Sequence, residues 1–458
     1  MRKLLVANRG EIAVRVIRAA RELDVRTVAV CSETDTEALH VRMADEHVVI
    51  GPAPAARSYL DADAVVAAAV RLRADAVHPG YGFLSERAAF AQQVIDAGMT
   101  FVGPSPEAIH LMGDKALARS TAARAGVPTV PGSDGPLTDV DSALETAGHV
   151  GYPIAVKAAA GGGGRGIRVV RSPAELREAL PLAQAEAKAA FGNGEVYLER
   201  FVHNARHIEV QVFGDGERFV HLGERDCSLQ RRRQKVVEEA CAPNLPAQVR
   251  QDMTNAAVSL AAAVSYSGAG TVEFLYDSAR QEFFFIEMNT RIQVEHPVTE
   301  MVTGRDLVRE QLTVAAGAPL SFTQQQVEPR GHALEFRLNA EDPGAGFMPS
   351  PGTITVMRMP GGPFVRIDSG CEQGSQVSPF YDSLIAKLIV WGDTREAALA
   401  RARRALDEIE VRGVATTAPF LRSLVDLPEF AEANYHTTFL ESWMAGHASD
   451  RDAAGRAA

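Results

Sequence analysis

Cysteine, tryptophan and unbroken apolar sequence are all scarce in this chain of 458 residues. The four cysteines, Cys31, Cys227, Cys241 and Cys371, form no CxxC pair and have no histidine at zinc spacing. That argues against a disulfide framework and a structural zinc site, and leaves reduced thiols of a cytoplasmic protein as the expectation. The longest unbroken apolar run, Ala64–Val70, falls far short of the roughly 20 residues a membrane-spanning helix needs. Leu4–Ala7 is likewise too short for a secretory core, so no membrane attachment is expected. Basic residues are in deficit: 47 against 58 acidic gives a net charge of −11. Such a balance disfavours phosphate-backbone binding, and with it nucleic acid as a partner.

What remains is enough to build cores, with 46% apolar and 23% charged residues. At about 150 residues per domain the length suggests about three domains. Lys3–Ala7 reads as an apolar strand, Glu11–Glu22 as a helix with its stripe at Ile12, Val16, Ala19 and Ala20, and Arg26–Cys31 as a β-branched strand. That order implies a parallel sheet, with or without a ligand at its first turn. Asp75–Glu86 runs from strand through a Gly/Pro turn into a new helix, and Asp114–Ala125 is a helix stopped by Gly126. Pro131–Pro136 breaks the chain sharply and marks a first boundary; a second Gly/Pro cluster lies at Asp342–Gly352. A strand Ser383–Trp391 and a helix Arg395–Ile409 follow, and His447–Ala458 is expected to fray.

Two stretches carry chemistry. Ile154–Val170 contains Gly161–Gly166, in which only Arg165 is not glycine. It matches GxGxxG formally, but the following Ile167, Val169 and Val170 favour strand rather than the helix that fingerprint requires, and the Walker ending is missing. A glycine loop between strands instead suits a hairpin whose bare N–H groups cover phosphates, with Lys157 supplying charge. The second stretch, Phe283–Pro297, places Glu287, Asn289, Arg291, Gln293 and Glu295 at every odd position, and an extended chain would align them on one side. Glu287 and Asn289, with Glu273 from a neighbouring strand across a turn at Asp277-Ser278, are oxygen ligands for a hard cation. Arg291 can fork onto a planar oxyanion beside Gln293, leaving Glu295 as a base. His207, Glu209 and Gln211 share one strand face, and the β-branched residues around His203 and His207 speak against a helical zinc pair. The basic run Glu224–Lys235 has an ordinary explanation as a solvated loop; its neighbours favour a cluster serving anions.

From Arg2 to about Leu440 the chain resembles biotin carboxylases, ATP-grasp components of biotin-dependent carboxylases. The resemblance rests on Ala7–Ala13 (ANRGEIA), His78–Glu86 (HPGYGFLSE), the Gly161–Gly166 loop, Glu224–Glu239, Phe285–Glu300 and Tyr381–Leu388 (YDSLIAKL). It implies an α/β ATP-grasp enzyme: an N-terminal Rossmann-like domain at 1–113, an ATP-grasp region at 114–316 with a mobile lid at about 131–202, a C-terminal α+β domain at 317–446, and a tail at 447–458. The implied reaction is ATP-dependent carboxylation of biotin by bicarbonate through carboxyphosphate, the first half-reaction of an acyl-CoA carboxylase, acetyl-CoA for fatty-acid synthesis being the default. Phosphoryl transfer of this kind needs charge neutralisation and positioning above all.

By position, the resemblance assigns Lys115, Lys157, Gly163, Gly164, Glu199, Arg200, Phe201, Val202, His207 and Arg233 to ATP, together with Glu273 and Glu287. It assigns Glu273, Glu287 and Asn289 to Mg²⁺ or Mn²⁺ in two sites. Lys235, Arg291, Gln293 and the Val294 backbone go to bicarbonate, Glu295 to the general base, Arg337 to the enolate-like oxygen of biotin, and Tyr81 to the biotin ring. Arg233 and Arg200 depart from the His and Lys common at their positions, and Arg differs from both in reach. The sequence ends without a biotinylation site, so biotin is expected as a substrate on a separate biotin carboxyl carrier protein, with carboxyltransferase subunits as further partners. Arg18, Glu22, Phe364 and Arg366 match homodimer-contact positions, although Arg18 and Glu22 also suit an exposed helix pair. The rival readings are an ATP-grasp ligase for a purine precursor, which would lack Arg337 and the Arg291–Glu295 row, and a non-catalytic ATP sensor.

Overall fold

Leu4, Leu5 and Val6 are buried on both faces because Lys3–Val6 is the middle strand of a five-stranded parallel sheet. The order is Glu46–Gly51, Arg26–Ser32, Lys3–Val6, Ala76–His78, Thr100–Phe101, and every pairing is parallel. The first helix, Gly10–Glu22, buries Ile12, Val16, Ala19 and Ala20 as its stripe requires. Asp114 caps the helix Lys115–Arg124 through the Ala116 and Leu117 amides. This computed structural model describes residues 1–133, 135–137, 139–158, 167–191 and 194–446. Among them no helix is long and apolar enough to cross a membrane. The four cysteines are free thiols.

The described residues form two compact units, one from 1–127, 206–274 and 286–446, the other from 128–205 and 275–285. The second unit has a three-stranded antiparallel sheet in the order Ile167–Val170, Ile154–Ala158, Val196–Arg200. Helices Val140–Val150 and Pro173–Phe191 cover it around Ile154, Val156, Leu176, Leu180 and Leu198. The strands flanking the glycine loop are thus as read, while the loop, with Gly163 and Gly164, lies outside the described residues, as does 447–458.

The larger unit is organised by an eight-stranded sheet, of whose first two strands it contributes residues 286–289 and 267–274. Its order is Glu282–Asn289, Ser267–Asp277, Arg206–Asp215, Phe219–Arg231, Gln234–Ala240, His332–Asn339, Leu384–Gly392, Val365–Ser369. One face is apolar: Leu334, Phe336, Leu338, Leu388 and Val390 pack with Leu399 of helix Arg395–Asp407 and Leu421 of helix Ala418–Val425. The opposite face carries polar side chains.

The run Glu224–Lys235, for which a solvated loop is the ordinary alternative, is the strand Phe219–Arg231, a two-residue turn and the start of Gln234–Ala240. Arg232 and Arg233 both take left-handed backbone, φ 49° and 66°, as a tight turn matched to strand twist demands. One expectation is corrected: Glu287–Glu295 is not one extended row. The strand ends at Asn289, and Glu295 is already the N-cap of helix His296–Thr303. Pro297, at the start of that helix, lacks the N–H that a continuing strand would use.

Candidate active site

The polar face of the large sheet is made by alternation plus one deliberate break in it. On Arg206–Asp215, His207, Glu209 and Gln211 share a face, and Arg225 stands opposite Glu209 across the ladder. Between Leu229–Val237 and Gln230–Lys235 the register shifts by a β-bulge. The extra residue, Val236, reverses the phase of the strand, so Lys235 and Glu238 come to one face while Glu239 goes to the other. Glu238 pairs across the ladder with Glu335, and Arg337 with Lys387. The connection Thr290–Glu295 leads from the edge of the sheet into helix His296–Thr303, and Thr299 of that helix accepts from Arg225 at 2.9 Å.

At the centre one ammonium meets three carboxylates. Lys235 Nζ lies 2.7 Å from Glu209, 3.1 Å from Glu273 and 2.5 Å from Glu295. Glu295, fully buried, also accepts from Arg337 at 2.9 Å, and Arg337 donates to Glu238 at 2.6 Å. Arg225, without exposed surface, holds Glu209 at 2.6 Å and fills its other donors with Gln211, Thr299 and Thr271. His207 Nε2 is 3.0 Å from Glu273, and its Nδ1 meets Gln230 at 2.7 Å.

The charges follow from this packing. Burial disfavours the Lys235 cation, but Glu209, Glu295 and Glu273 outweigh it and hold the ammonium well above its ordinary range. Burial opposes ionisation of Glu295 too, and Lys235, Arg337 and Arg225 reverse that, holding it well below the ordinary carboxylate range. Glu273 is likewise held low against burial by Lys235 and His207. Glu238 goes the other way: burial, reinforced by Glu295, pushes it up to about 7 despite Arg337.

The predicted cation ligands are only partly gathered. Asn289 Nδ2 and Gln293 Nε2 donate to Glu273 at 2.8 and 3.1 Å, while Asn289 Oδ1 accepts from Arg291 at 3.0 Å. Asn289 thus turns its amide nitrogen, not its oxygen, toward Glu273. Glu287 is exposed beside them; its surroundings desolvate it and the Glu273 charge adds to this, raising its pKa against the pull of Lys115. The donor set is hard oxygen, and the mutual repulsion of Glu273 and Glu287 is what a divalent ion between them would relieve, so the residues fit such an ion once the Asn289 amide turns over. Arg291 donates to Glu86 at 2.9 Å and Gln293 at 3.1 Å.

Elsewhere, Lys157 donates to Glu199 within the smaller unit, and Arg200 pairs there with Glu282 at 2.8 Å. The Phe201 amide donates to Pro153 O, and Val202 packs with Ala205 and Phe284. Lys115 is an exposed first-turn residue of its helix, and Arg233 sits exposed in its hairpin turn. Tyr81 donates to Glu11. Sequence reasoning left Glu209, Arg225, Glu238, Glu86, Glu11 and Lys387 without roles. Glu209 was visible in the alternation with His207; Lys235 and Glu238 as face-mates were not, because a bulge has no compositional mark.

Comparison with known proteins bears on this centre. The family described as "Biotin carboxylase, N-terminal domain" matches residues 1–109, "Carbamoyl-phosphate synthase L chain, ATP binding domain" matches 114–323, and "Biotin carboxylase C-terminal domain" matches 335–442. The chain is 54% identical over 443 residues to a biotin carboxylase of Pseudomonas aeruginosa, covering 96% of this chain and 98% of that one. It is 52% identical over 444 residues to biotin carboxylase 1 of Bacillus subtilis, covering 97% and 99%. Among solved structures, the biotin carboxylase domain dimer of Hydrogenobacter thermophilus 2-oxoglutarate carboxylase, in complex with MgADP, ADP and bicarbonate, is similar at TM-score 0.86 and 48% identity, covering 96% and 97%.

Proposed function

The chain belongs to the biotin carboxylase family, and we propose that the Lys235 cluster is where its bicarbonate is activated and its biotin carboxylated. The enzyme is an ATP-dependent ligase using ATP and Mg²⁺, and biotin is its carboxyl acceptor. One observation carries the site assignment: Glu295 is shared between Lys235 and Arg337, so a single carboxylate borders both an anion-binding ammonium and a half-buried guanidinium.

Bicarbonate is a poor electrophile, and transfer of the ATP γ-phosphoryl group to one of its oxygens, with loss of ADP, makes carboxyphosphate. That species yields CO₂ and phosphate; the released phosphate takes the ureido N–H proton of biotin, and CO₂ bonds to the nitrogen so deprotonated. Lys235, Arg291, Gln293 and the Val294 backbone receive the bicarbonate. As it arrives, Lys235 and Arg291 turn from Glu295 and Glu86 toward it. Glu295, losing part of its counter-charge beside a new anion, then rises in pKa and becomes able to take the bicarbonate proton. Arg337 is left to stabilise the enolate-like oxygen of biotin, with Tyr81 beside the ring. Glu273 and Glu287, with Asn289, would hold the divalent cation, Mg²⁺ or Mn²⁺, in two sites, where it would draw charge from the phosphates.

Within the larger unit His207, Lys115 and Arg233 are the residues for ATP; Lys157, Glu199, Arg200, Phe201 and Val202, assigned to nucleotide by the resemblance, belong to the smaller unit taken by itself. A lysine in the first turn of a helix opposes the dipole there, which a phosphate would reverse. Biotin arrives on a carrier protein, a carboxyltransferase uses the product, and the chain works in the cytoplasm, consistent with its free thiols. Arg18, Glu22 and Arg366 line a polar cleft of about 470 Å³ and Phe364 is exposed nearby in sequence to Arg366, which supports a homodimer through that face.

The test is ATP turnover with and without bicarbonate and free biotin. ADP release should depend on bicarbonate and rise with biotin, and Glu295→Gln should abolish it while nucleotide still binds. ADP release indifferent to both additions would put the purine-type ligase or the sensor ahead.

A further inference from the structure

Two of the sequence blocks that mark the family, ANRGEIA and YDSLIAKL, supply none of the residues placed on substrate above, yet they meet in the interior. Lys387, from the strand Leu384–Gly392, has no exposed surface. Its ammonium donates to the Val294 carbonyl at 2.7 Å and lies 3.1 Å from Glu11 Oε1. Glu11, in the first turn of helix Gly10–Glu22 and buried, accepts in turn from the Tyr81 hydroxyl. Asn8 completes the frame, donating to the Pro79 and Tyr81 carbonyls at 2.7 Å each. Gly80 suits that turn: its φ is +63°, and a Cβ there would stand 2.9 Å from Asn8 Nδ2.

The Val294 carbonyl belongs to the same peptide plane as the Glu295 N–H. Residues 290–295 lie in neither strand nor helix, so no ladder fixes that plane. A backbone carbonyl so placed is oriented by whatever donor reaches it, and that donor is Lys387. Burial weakens the Lys387 cation, but Glu11, Glu335 and Asp368 outweigh this and keep it charged.

We propose that Lys387 and Glu11 are positioning residues that hold the Val294–Glu295 peptide and the Tyr81 hydroxyl in one frame, so that the bicarbonate and biotin sides keep their register. This rests on the site assignment above. Neither side chain touches a reacting atom; each acts through another, Lys387 through the peptide that carries Glu295, Glu11 through both Lys387 and Tyr81.

The test uses Lys387→Met, Glu11→Gln and the double variant in the full chain. Lys387→Met alone strands a buried carboxylate and should melt earlier, and adding Glu11→Gln should restore most of that loss. A structural role would restore function along with stability. A positioning role would not: the double variant should keep a bicarbonate KM raised about tenfold and form less carboxybiotin per ATP cleaved, with its ATP KM within about twofold of wild type. Glu11→Gln alone, which leaves Lys387 on Val294, should raise the biotin KM more than the bicarbonate KM, and it remains informative even where Lys387→Met does not fold. A folded double variant with wild-type bicarbonate KM and coupling overturns the proposal. Wild-type enzyme without bicarbonate-dependent turnover would instead remove the reading on which it rests.

Discussion

Glu238 should make the protein less stable as pH rises through neutrality, and replacing it with glutamine should remove that loss. The side chain is completely buried opposite Glu335, and burial together with Glu295 lifts its pKa from 4.5 to about 7 even though Arg337 donates to it. In the unfolded chain Glu238 ionises near 4.5; folded, it keeps its proton until about 7. Between those values the native state binds more protons than the unfolded state, so stability falls as pH rises. A difference of 2.5 units corresponds to about 3 kcal/mol, all of it felt above pH 7. Glu238→Gln imitates the protonated acid at every pH. Unfolding free energies of the two proteins, measured in urea at steps from pH 4.5 to 8, should diverge steadily in favour of the variant and level off near 7. Glu335, held well above its ordinary range by burial first and by Glu238 among its neighbours, reinforces the trend. A gap that is flat across this range, or that narrows with rising pH, would refute the electrostatic argument.

Glu239, the next residue, predicts the reverse: against burial, Arg395 and His332 bring its carboxyl down to about 2. Its contribution, about 3 kcal/mol, is present above pH 4.5 and lost toward pH 2, so Glu239→Gln should be destabilised at neutrality by that amount, with the gap closing in acid. Lys235→Met leaves Glu209, Glu273 and Glu295 short of a shared cation and should cost about 3–5 kcal/mol in denaturant unfolding as well as bicarbonate-dependent turnover. A variant melting like wild type would show that the three carboxylates do not need it.

How far these groups were legible in sequence depends on what fixes them. The parallel sheet was readable because Leu4–Val6 and Val28–Cys31 are doubly buried strands whose apolar runs advertise it. The strands around the glycine loop were readable from β-branched residues. The odd-numbered row from Glu287 to Glu295 was readable as chemistry and misread as geometry. Glu287 and Asn289 follow strand periodicity, but Arg291, Gln293 and Glu295 reach inward from an irregular connection, and Pro297 was the available sign that the strand had ended. The basic run was legible only in part, for a different reason. Arg225 is a wholly buried structural cation, Arg232 and Arg233 make an exposed turn, and Lys235 enters the site, so composition averaged three unrelated fates. Long-range partners such as Glu11 with Lys387 have no local signature at all.

Val236 works as a counting device. With strict alternation, Lys235 and Glu239 would project together, and the cation that binds Glu295 would face the hydrophobic layer instead of the acid cluster. The identity of the inserted side chain matters less than the fact of one more residue. Deletions or insertions in this segment therefore act like a frame error written in space: each neighbouring side chain stays chemically intact while arriving on the wrong side of the sheet.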